Sequence, residues 1–339
     1  EVGRDSVGAI RLLPESLSPK EATDDGQSIT AQAMNEAEVA QLLRSTASTG
    51  PGDALHADDF RISLAGAQEK TALLQINGQW MRPLGATPTT HILKLPLGLV
   101  GNLQMDMATS VENEWLCAQI LAAYGLPVAH CEPLQFDDMK ALSVQRFDRL
   151  WWTAPDGAHH LIRLPQEDLC QATATAPDLK YEAQGGPGID RIMSVLDGSM
   201  TPEADKRTFF TAQVLFWMLC APDGHAKNFS LFIRPGGRFQ LAPLYDVISA
   251  YPILGQGPNQ VSPFKVKLAM AVRGKNAHWK MNDIQRRHWI ALGARHGVVT
   301  TDGRPADALL DELVARTPAV MAHIQRLLPA GFPAWVAHT

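Results

Sequence analysis

A change of hydrophobic period partway along the chain limits its fold more than any other feature. Up to residue 147 the apolar residues come largely in short runs of strand length, "KTALLQI" (70–76), "HILKLP" (91–96) and "ALSVQRF" (141–147). Turn signals separate them, among them Asn77-Gly78, a pair that suits the left-handed positions of a tight hairpin. Two stretches in this half read as helices. "NEAEVAQLLRSTAS" carries Ala37, Val39, Leu42 and Leu43 behind an Asn35 cap; "SVENEWLCAQILAAYGL" sets Val111, Trp115, Leu116, Ile120 and Leu121 on one face before Gly125 and Pro127 end it. From about residue 165 helical spacing dominates, in "ADKRTFFTAQVLFWMLCA", "NDIQRRHWIALGARHG" and "PADALLDELVARTPAVMAHIQRLL", with one clear hairpin among them. Strands first and helices second predict an α+β fold of two lobes, a strand-rich lobe over 1–145 and a helical lobe over 146–339.

Composition narrows the function classes. At 339 residues, 45% hydrophobic and 19% charged, the chain is long and apolar enough to bury a substantial core. A net charge of −5 supplies no overall field for nucleic acid, and the clusters Arg286-Arg287-His288 with Arg295, and Arg273 with Lys275, read as solvated faces. Cys117, Cys131, Cys170 and Cys220 are widely spaced with no CxxC pair, so reduced core thiols are expected rather than a zinc or redox site. No apolar run approaches the ~18 residues of a membrane span. The start, "EVGRDSVGAIRLL", is neither a signal peptide nor Met-initiated, which points to a cytoplasmic protein whose natural beginning is missing.

Chemistry concentrates in "PDGHAKNFSLFI" (222–233), where Asp223, His225, Lys227 and Asn228 crowd into six positions ahead of a strand. Two strand-like runs, "FSLFIR" and "RFQLAPLYD", follow across the turn "PGG", and the second ends in Asp246. An Asp five residues before an Asn, with a second Asp beyond a short hairpin, is the spacing of phosphoryl transfer in protein kinases. That reaction needs a carboxylate near the attacking hydroxyl and two oxygen ligands for Mg²⁺ on the nucleotide phosphates. A lone Asp-x4-Asn is more often a solvated turn; the hairpin, Asp246 and a strand lysine, Lys94 in "HILKLP", raise the functional reading above it. Glu112 and Glu114 are candidates to orient Lys94, with Glu114 preferred. There is no "HRD", no "DFG" and no GxGxxG loop, so an ordinary eukaryotic-type kinase is not expected.

Seven segments together, "ISLAGAQEKTALL" (62–74), "THILKLP" (90–96), "RFDR" (146–149), "LPQEDLCQ" (164–171), "YEAQGGPGI" (181–189), "DGHAKNFS" (223–230) and "YDVISAYP" (245–252), resemble the HipA family of bacterial toxin kinases. The resemblance implies a two-lobed, protein-kinase-like fold and an ATP- and Mg²⁺-dependent protein serine/threonine kinase, the toxin of a toxin–antitoxin pair. It also implies a helix-turn-helix antitoxin partner, HipB-like, through which alone the chain would reach DNA, and a protein substrate such as glutamyl-tRNA synthetase, whose phosphorylation halts growth.

By the same resemblance Asp223 is the catalytic base, and Asn228 and Asp246 hold the metal. Ala65, Gly66, Ala67, Gln68, Glu69 and Lys70 form the loop over the nucleotide, and Lys94 contacts its phosphates. Gln145, Arg146 and Phe147 form the hinge that holds adenine, although Gln145 stands where the family carries an acidic residue. His225 lies beside the nucleotide, with Lys227 near the transferred phosphate. Ser63 matches a serine that the family autophosphorylates. Gln166 and the turn at Gly185 and Gly186 match a segment near the protein-substrate groove. Family members carry several dozen further residues before "GRDSVGA", so the resemblance implies that such a segment was removed or is borne by a separate protein. Two other readings remain open: a co-repressor subunit with a vestigial nucleotide site, and a small-molecule kinase.

Overall fold

The computed structural model describes residues 5–10, 29–48 and 68–337. Their contacts gather into two compact units: one holds the described residues up to Leu97 together with Ala129–Gln166, the other Gly98–Val128 and the described residues from Glu167 on. The division therefore falls elsewhere than at a single cut after residue 145. Helix α2 (Ser110–Ala123) packs with the C-terminal unit, because Cys117, Leu121 and the following Tyr124 are buried in that unit's core.

The first unit is built on a six-stranded antiparallel sheet of β1 (Ala31–Ala33), β2 (Lys70–Ile76), β3 (Gln79–Pro83), β4 (His91–Lys94), β5 (Cys131–Phe136) and β6 (Met139–Gln145), in the order β1-β3-β2-β4-β6-β5. Asn77 and Gly78 close the β2–β3 hairpin at φ 49° and 80°, as their sequence requires. Helix α1 (Glu36–Ser48) covers the sheet, and Val39, Ala40 and Leu43 bury against Leu73, Leu93, Phe136 and Ala141. Its start is a capping box: Asn35 Oδ1 accepts the Glu38 N–H at 2.9 Å while Glu38 Oε2 accepts the Asn35 N–H at 2.7 Å. A separate hairpin, β7 (Arg149–Thr153) with β8 (His159–Arg163), completes this unit.

Inside it lies a buried ion cluster. Asp5 and Asp148 are enclosed by Arg146, Arg149 and Arg163, with Asp5 fully buried and 2.9 Å from both Arg146 and Arg149. All five N–H groups of Arg146 are used, on Asp5, Asp148, Thr89 and the Ser6 carbonyl. Burial alone would push the Asp5 carboxyl up, but the guanidiniums of Arg146 and Arg149 and the Thr89 bonds outweigh it and hold it below the usual carboxylate range; Asp148 is held low in the same way by Arg146 and Arg149.

The second unit is mainly helical. After β9 (Gln166–Asp168) come α3 (Leu169–Ala172), α4 (Ile189–Leu196), α5 (Pro202–Met218), the hairpin β10 (Ser230–Arg234) with β11 (Arg238–Leu241), a second hairpin β12 (Lys267–Arg273) with β13 (Ala277–Lys280), then α6 (Arg286–Arg295) and α7 (Ala306–Leu327). The second hairpin is one more than expected; Gly274 and Asn276 close it, with the Gly274 N–H on the Asn276 carbonyl. Phe209, Phe210, Phe216, Phe229 and Trp289 form the centre of the core, and the Phe209 and Phe229 rings meet edge-on at 4.9 Å. On the helix over 110–123, Val111 and Leu121 are buried as expected. Trp115, Leu116 and Ile120 are only partly so, and Glu112, Asn113 and Glu114 are buried instead. All four cysteines are buried thiols outside any disulfide. Among the described residues no helix is long and apolar enough to cross a membrane.

Removing Asp5 leaves three desolvated guanidiniums facing the single carboxylate of Asp148, so Asp5→Ala should cost about 3–5 kcal/mol, read as a lowered urea midpoint. Because the folded-state acids of the cluster titrate below their unfolded values, their contribution is present above about pH 4 and lost as pH falls through the depressed range. Urea titrations between about pH 6 and pH 3 should show the wild type losing more stability than Asp5→Ala.

Candidate active site

Helix α5 ends at Met218, and the chain reverses through Cys220, which takes the left-handed conformation at φ 49° while the Ala221 N–H reaches back to the Phe216 carbonyl at 2.8 Å. This delivers the loop to Asp223. The Asp223 carbonyl then accepts twice, from the His225 N–H and from Asn228 Nδ2, both at 2.8 Å. The double acceptance folds the six residues into one tight loop, and with the Asn228 amide nitrogen turned to that carbonyl, Oδ1 is the side chain's other polar atom. Gly224 is required here, because a Cβ would stand 2.5 Å from the Phe216 ring.

The Asp223 carboxylate is exposed, at 59%. Its Oδ1 accepts the Tyr181 hydroxyl at 2.5 Å, and its Oδ2 lies 3.9 Å from His225 Nε2. The His225 ring is 5% exposed and meets the Tyr181 ring edge-on at 5.1 Å. Burial, helped by the Lys180 charge, keeps His225 below its ordinary range against the opposing pull of Asp223 and Asp246. The ring is therefore neutral at pH 7. Lys227 is held at 2.6 Å by Asp168, whose other oxygen caps α3. Tyr245, one residue before Asp246, donates to the Lys227 carbonyl at 2.8 Å and meets Ser230 Oγ at 2.7 Å.

Asp246 sits at φ 61°, a left-handed position uncommon for a side-chain-bearing residue. Two anchors fix its segment. Upstream, the Leu244 N–H bonds the Pro127 carbonyl within a parallel bridge of Val128 and Leu244. Downstream, the buried Asn113 side chain brackets Ser249, donating to its carbonyl at 2.8 Å and accepting its N–H at 2.9 Å, while the Ala250 N–H closes on the Cys220 carbonyl. Asn113 lies between the two glutamates singled out from the sequence, and nothing local distinguishes it; its partner is 136 residues away.

The remaining expected site residues divide. Ser63, Ala65, Gly66 and Ala67 lie outside the described residues. Gln68 donates to the Leu95 carbonyl, Glu69 O accepts the Leu95 N–H, and Lys70 pairs directly across from Lys94. Residues directly opposite in antiparallel strands share a face, so the two lysine side chains leave the sheet on the same side, Lys94 the more deeply buried. Gln145 is exposed and Phe147 half-buried, whereas Arg146, with every donor bound to protein, is a structural residue and its side chain is not free to hold adenine. Gln166 is half-buried beside Gly8. Gly186 is required by a close approach, since a Cβ would stand 2.0 Å from the Leu179 carbonyl, and Gly185 takes φ 97° at the end of a short turn.

No group of three or more His, Cys, Asp or Glu side chains able to hold a metal occurs among the described residues. A magnesium site of the kind expected needs few protein ligands, being completed by phosphates and water. The hard oxygens of Asn228 and Asp246 suit it chemically.

An antiparallel sheet unit with a buried strand lysine, and a helical unit with an Asp loop, a short hairpin and a second Asp, define the protein-kinase-like class of fold. A family model described as the HipA-like C-terminal domain matches residues 62–321, and the chain belongs to that family. Y4mE of Sinorhizobium fredii, a kinase in name, is 35% identical over 260 residues, covering 75% of this chain and 57% of its own. The serine/threonine-protein kinase toxin HipA of Shewanella oneidensis is 28% identical over 223 residues, covering 62% of this chain and 47% of its own. The chain thus spans about half the length of these relatives. In fold it is similar to the solved Shewanella oneidensis HipA in complex with HipB and operator DNA, with a TM-score of 0.73 at 24% identity, over 99% of this chain and 74% of that one.

Asn113→Ala should strand two buried backbone groups of Ser249 and lower stability by about 2 kcal/mol or more. Asn113→Asp, which sets an acceptor oxygen against the Ser249 carbonyl and buries an unpaired charge, should be at least as destabilised as Asn113→Ala in a urea titration at neutral pH.

Proposed function

We propose that this chain is the kinase toxin of a toxin–antitoxin pair, a protein serine/threonine kinase that moves the γ-phosphoryl group of ATP onto a bacterial protein in the cytoplasm. The observation that carries the reading is the Asp223 loop, with one exposed carboxylate and Asn228 locked beside it, in a chain of the HipA-like family. Asp223 accepts the proton of a serine or threonine hydroxyl as its oxygen bonds to the γ-phosphorus and the bond to ADP breaks. Neutral His225 and the Lys227 ammonium border that carboxylate's loop, and Lys94 with Lys70 offers positive charge to the phosphates. Magnesium, held by Asn228 and Asp246, would neutralise phosphate charge.

In this reading glutamyl-tRNA synthetase is the favoured substrate and translation the process arrested. Phosphorylation of Ser63 would switch the enzyme off, since ~1.5–2 added negative charges beside a phosphate-binding loop repel the nucleotide. Gln166, Gly185 and Gly186 border the protein substrate. A second role, co-repression, is supported by the complex in which the Shewanella HipA was solved, with HipB and operator DNA. This chain would meet DNA through a helix-turn-helix antitoxin rather than directly, a reading supported by the pairing of three arginines of its basic clusters: Arg286 with Asp311, Arg273 with Glu182, Arg295 with Asp190.

Incubation with γ-labelled ATP, Mg²⁺ and bacterial lysate should label a synthetase-sized band, and Asp223→Asn should lower that labelling about 10²–10⁴-fold. Equal labelling by both proteins would refute the assignment of Asp223. Mass spectrometry of the purified chain should find phosphate on Ser63. Without antitoxin, the chain should show negligible affinity for DNA in a gel-shift assay.

A further inference from the structure

The contact between Tyr181 and Asp223 joins residues 42 positions apart, and the surrounding structure is arranged to hold it. The Tyr181 carbonyl accepts the N–H groups of Gln184 and Gly186, each at 3.0 Å, so the tyrosine begins a closed turn. Glycine at 186 lets that turn close against the Leu179 and Tyr181 carbonyls. The next side chain, Glu182, is clamped: it accepts the Ala271 N–H at 2.6 Å and pairs with Arg273, and glycine at 188 leaves it room, since a Cβ there would stand 2.3 Å from its carboxyl carbon. On the other side the Lys180 carbonyl receives the Ala226 N–H at 3.4 Å, and the Lys180 ammonium lies 5.1 Å from the centre of the Tyr181 ring. The ring itself rests edge-on against buried His225. Tyr181 is thus fixed by its backbone, by the residues on either side and by its ring, and its hydroxyl ends on one oxygen of an otherwise exposed carboxylate.

We propose that Tyr181 is a positioning residue for the proton-accepting step, holding Asp223 by Oδ1 so that Oδ2 is presented to the acceptor hydroxyl. The inference rests on Asp223 acting as the base. An exposed aspartate left to itself samples several rotamers, and a single charge-assisted bond from a rigid donor selects one of them before substrate arrives. The phenol stays a neutral donor at working pH, since burial and the bond to Asp223 both raise its pKa. The glycine turn assigned from sequence to a substrate groove acquires a second purpose: it sets the position of the tyrosine that orients the base.

The test compares wild type, Tyr181→Phe, Asp223→Asn and the double variant, following the chain-dependent rate of label transfer from ATP·Mg²⁺ into bacterial lysate protein. Tyr181→Phe removes a single oxygen and keeps the ring against His225. It should lower the apparent kcat about ten- to a hundredfold, the range of a hydrogen bond to a charged group, with the KM for ATP unchanged. In the Asp223→Asn background the same substitution should have no further effect, because a residue that acts through Asp223 has nothing left to orient. Additive losses in the double variant, or a raised KM for ATP with kcat intact, would overturn the positioning role. Full activity of Asp223→Asn would overturn the assignment of the base itself. Loss in Asp223→Asn with wild-type kcat in Tyr181→Phe would overturn the inference about Tyr181 alone.

Discussion

The carbonyl oxygen of Asp223 receives both the His225 N–H and the Asn228 side-chain amide, and the arrangement of the loop over residues 223–228 follows from that one atom. A carbonyl has two lone pairs, and using both within six residues leaves the loop little freedom. The side chain of Asp223 is turned outward, His225 inward under the Tyr181 ring, and Asn228 is left with its oxygen as the group to offer. The same economy explains Gly224, which lies where any larger residue would strike Phe216. Phe216 belongs to the aromatic core of the helical unit, so the loop is shaped by its own hydrogen bonds and seated on hydrophobic packing.

A different principle organises the sheet unit. There, two carboxylates and three guanidiniums are withdrawn from water around the residues 5–10 segment, the end of β6 and the start of β7. Such a cluster is a weak source of net stability, because desolvation offsets much of the attraction, but it is intolerant of losing a member. It also decides what Arg146 can do. An arginine whose five donors are satisfied inside the protein positions its neighbours Gln145 and Phe147 instead of reaching outward.

Local signals were legible wherever the physics is local. The Asn35 cap, the Asn77-Gly78 turn, the span of β2 and the hairpin after Asn228 each depend on residues a few positions apart, and each is found where the sequence places it. Burial on the helix over 110–123 was misjudged for the opposite reason. Helical periodicity favoured Trp115, Leu116 and Ile120, yet the buried face includes Glu112, Asn113 and Glu114; for Asn113 the reason is the Ser249 backbone, distant in sequence, which satisfies its amide. The β12–β13 hairpin was hidden differently: β13 is only four residues long, and Arg273 and Lys275 make the Gly274–Asn276 turn read as a solvated basic face.

By itself, the sequence determined the fold class, the family and the spacing of Asp223, Asn228 and Asp246, because hydrophobic period, turn residues and motif distances are written along one dimension. Tertiary structure alone decided which groups serve those three. It brought Tyr181 to Asp223 across 42 residues, Asn113 to Ser249 across 136, and Asp168 to Lys227 across 59. Hydrogen bonds and ion pairs act over a few ångströms, and only packing determines which distant residues come within that range.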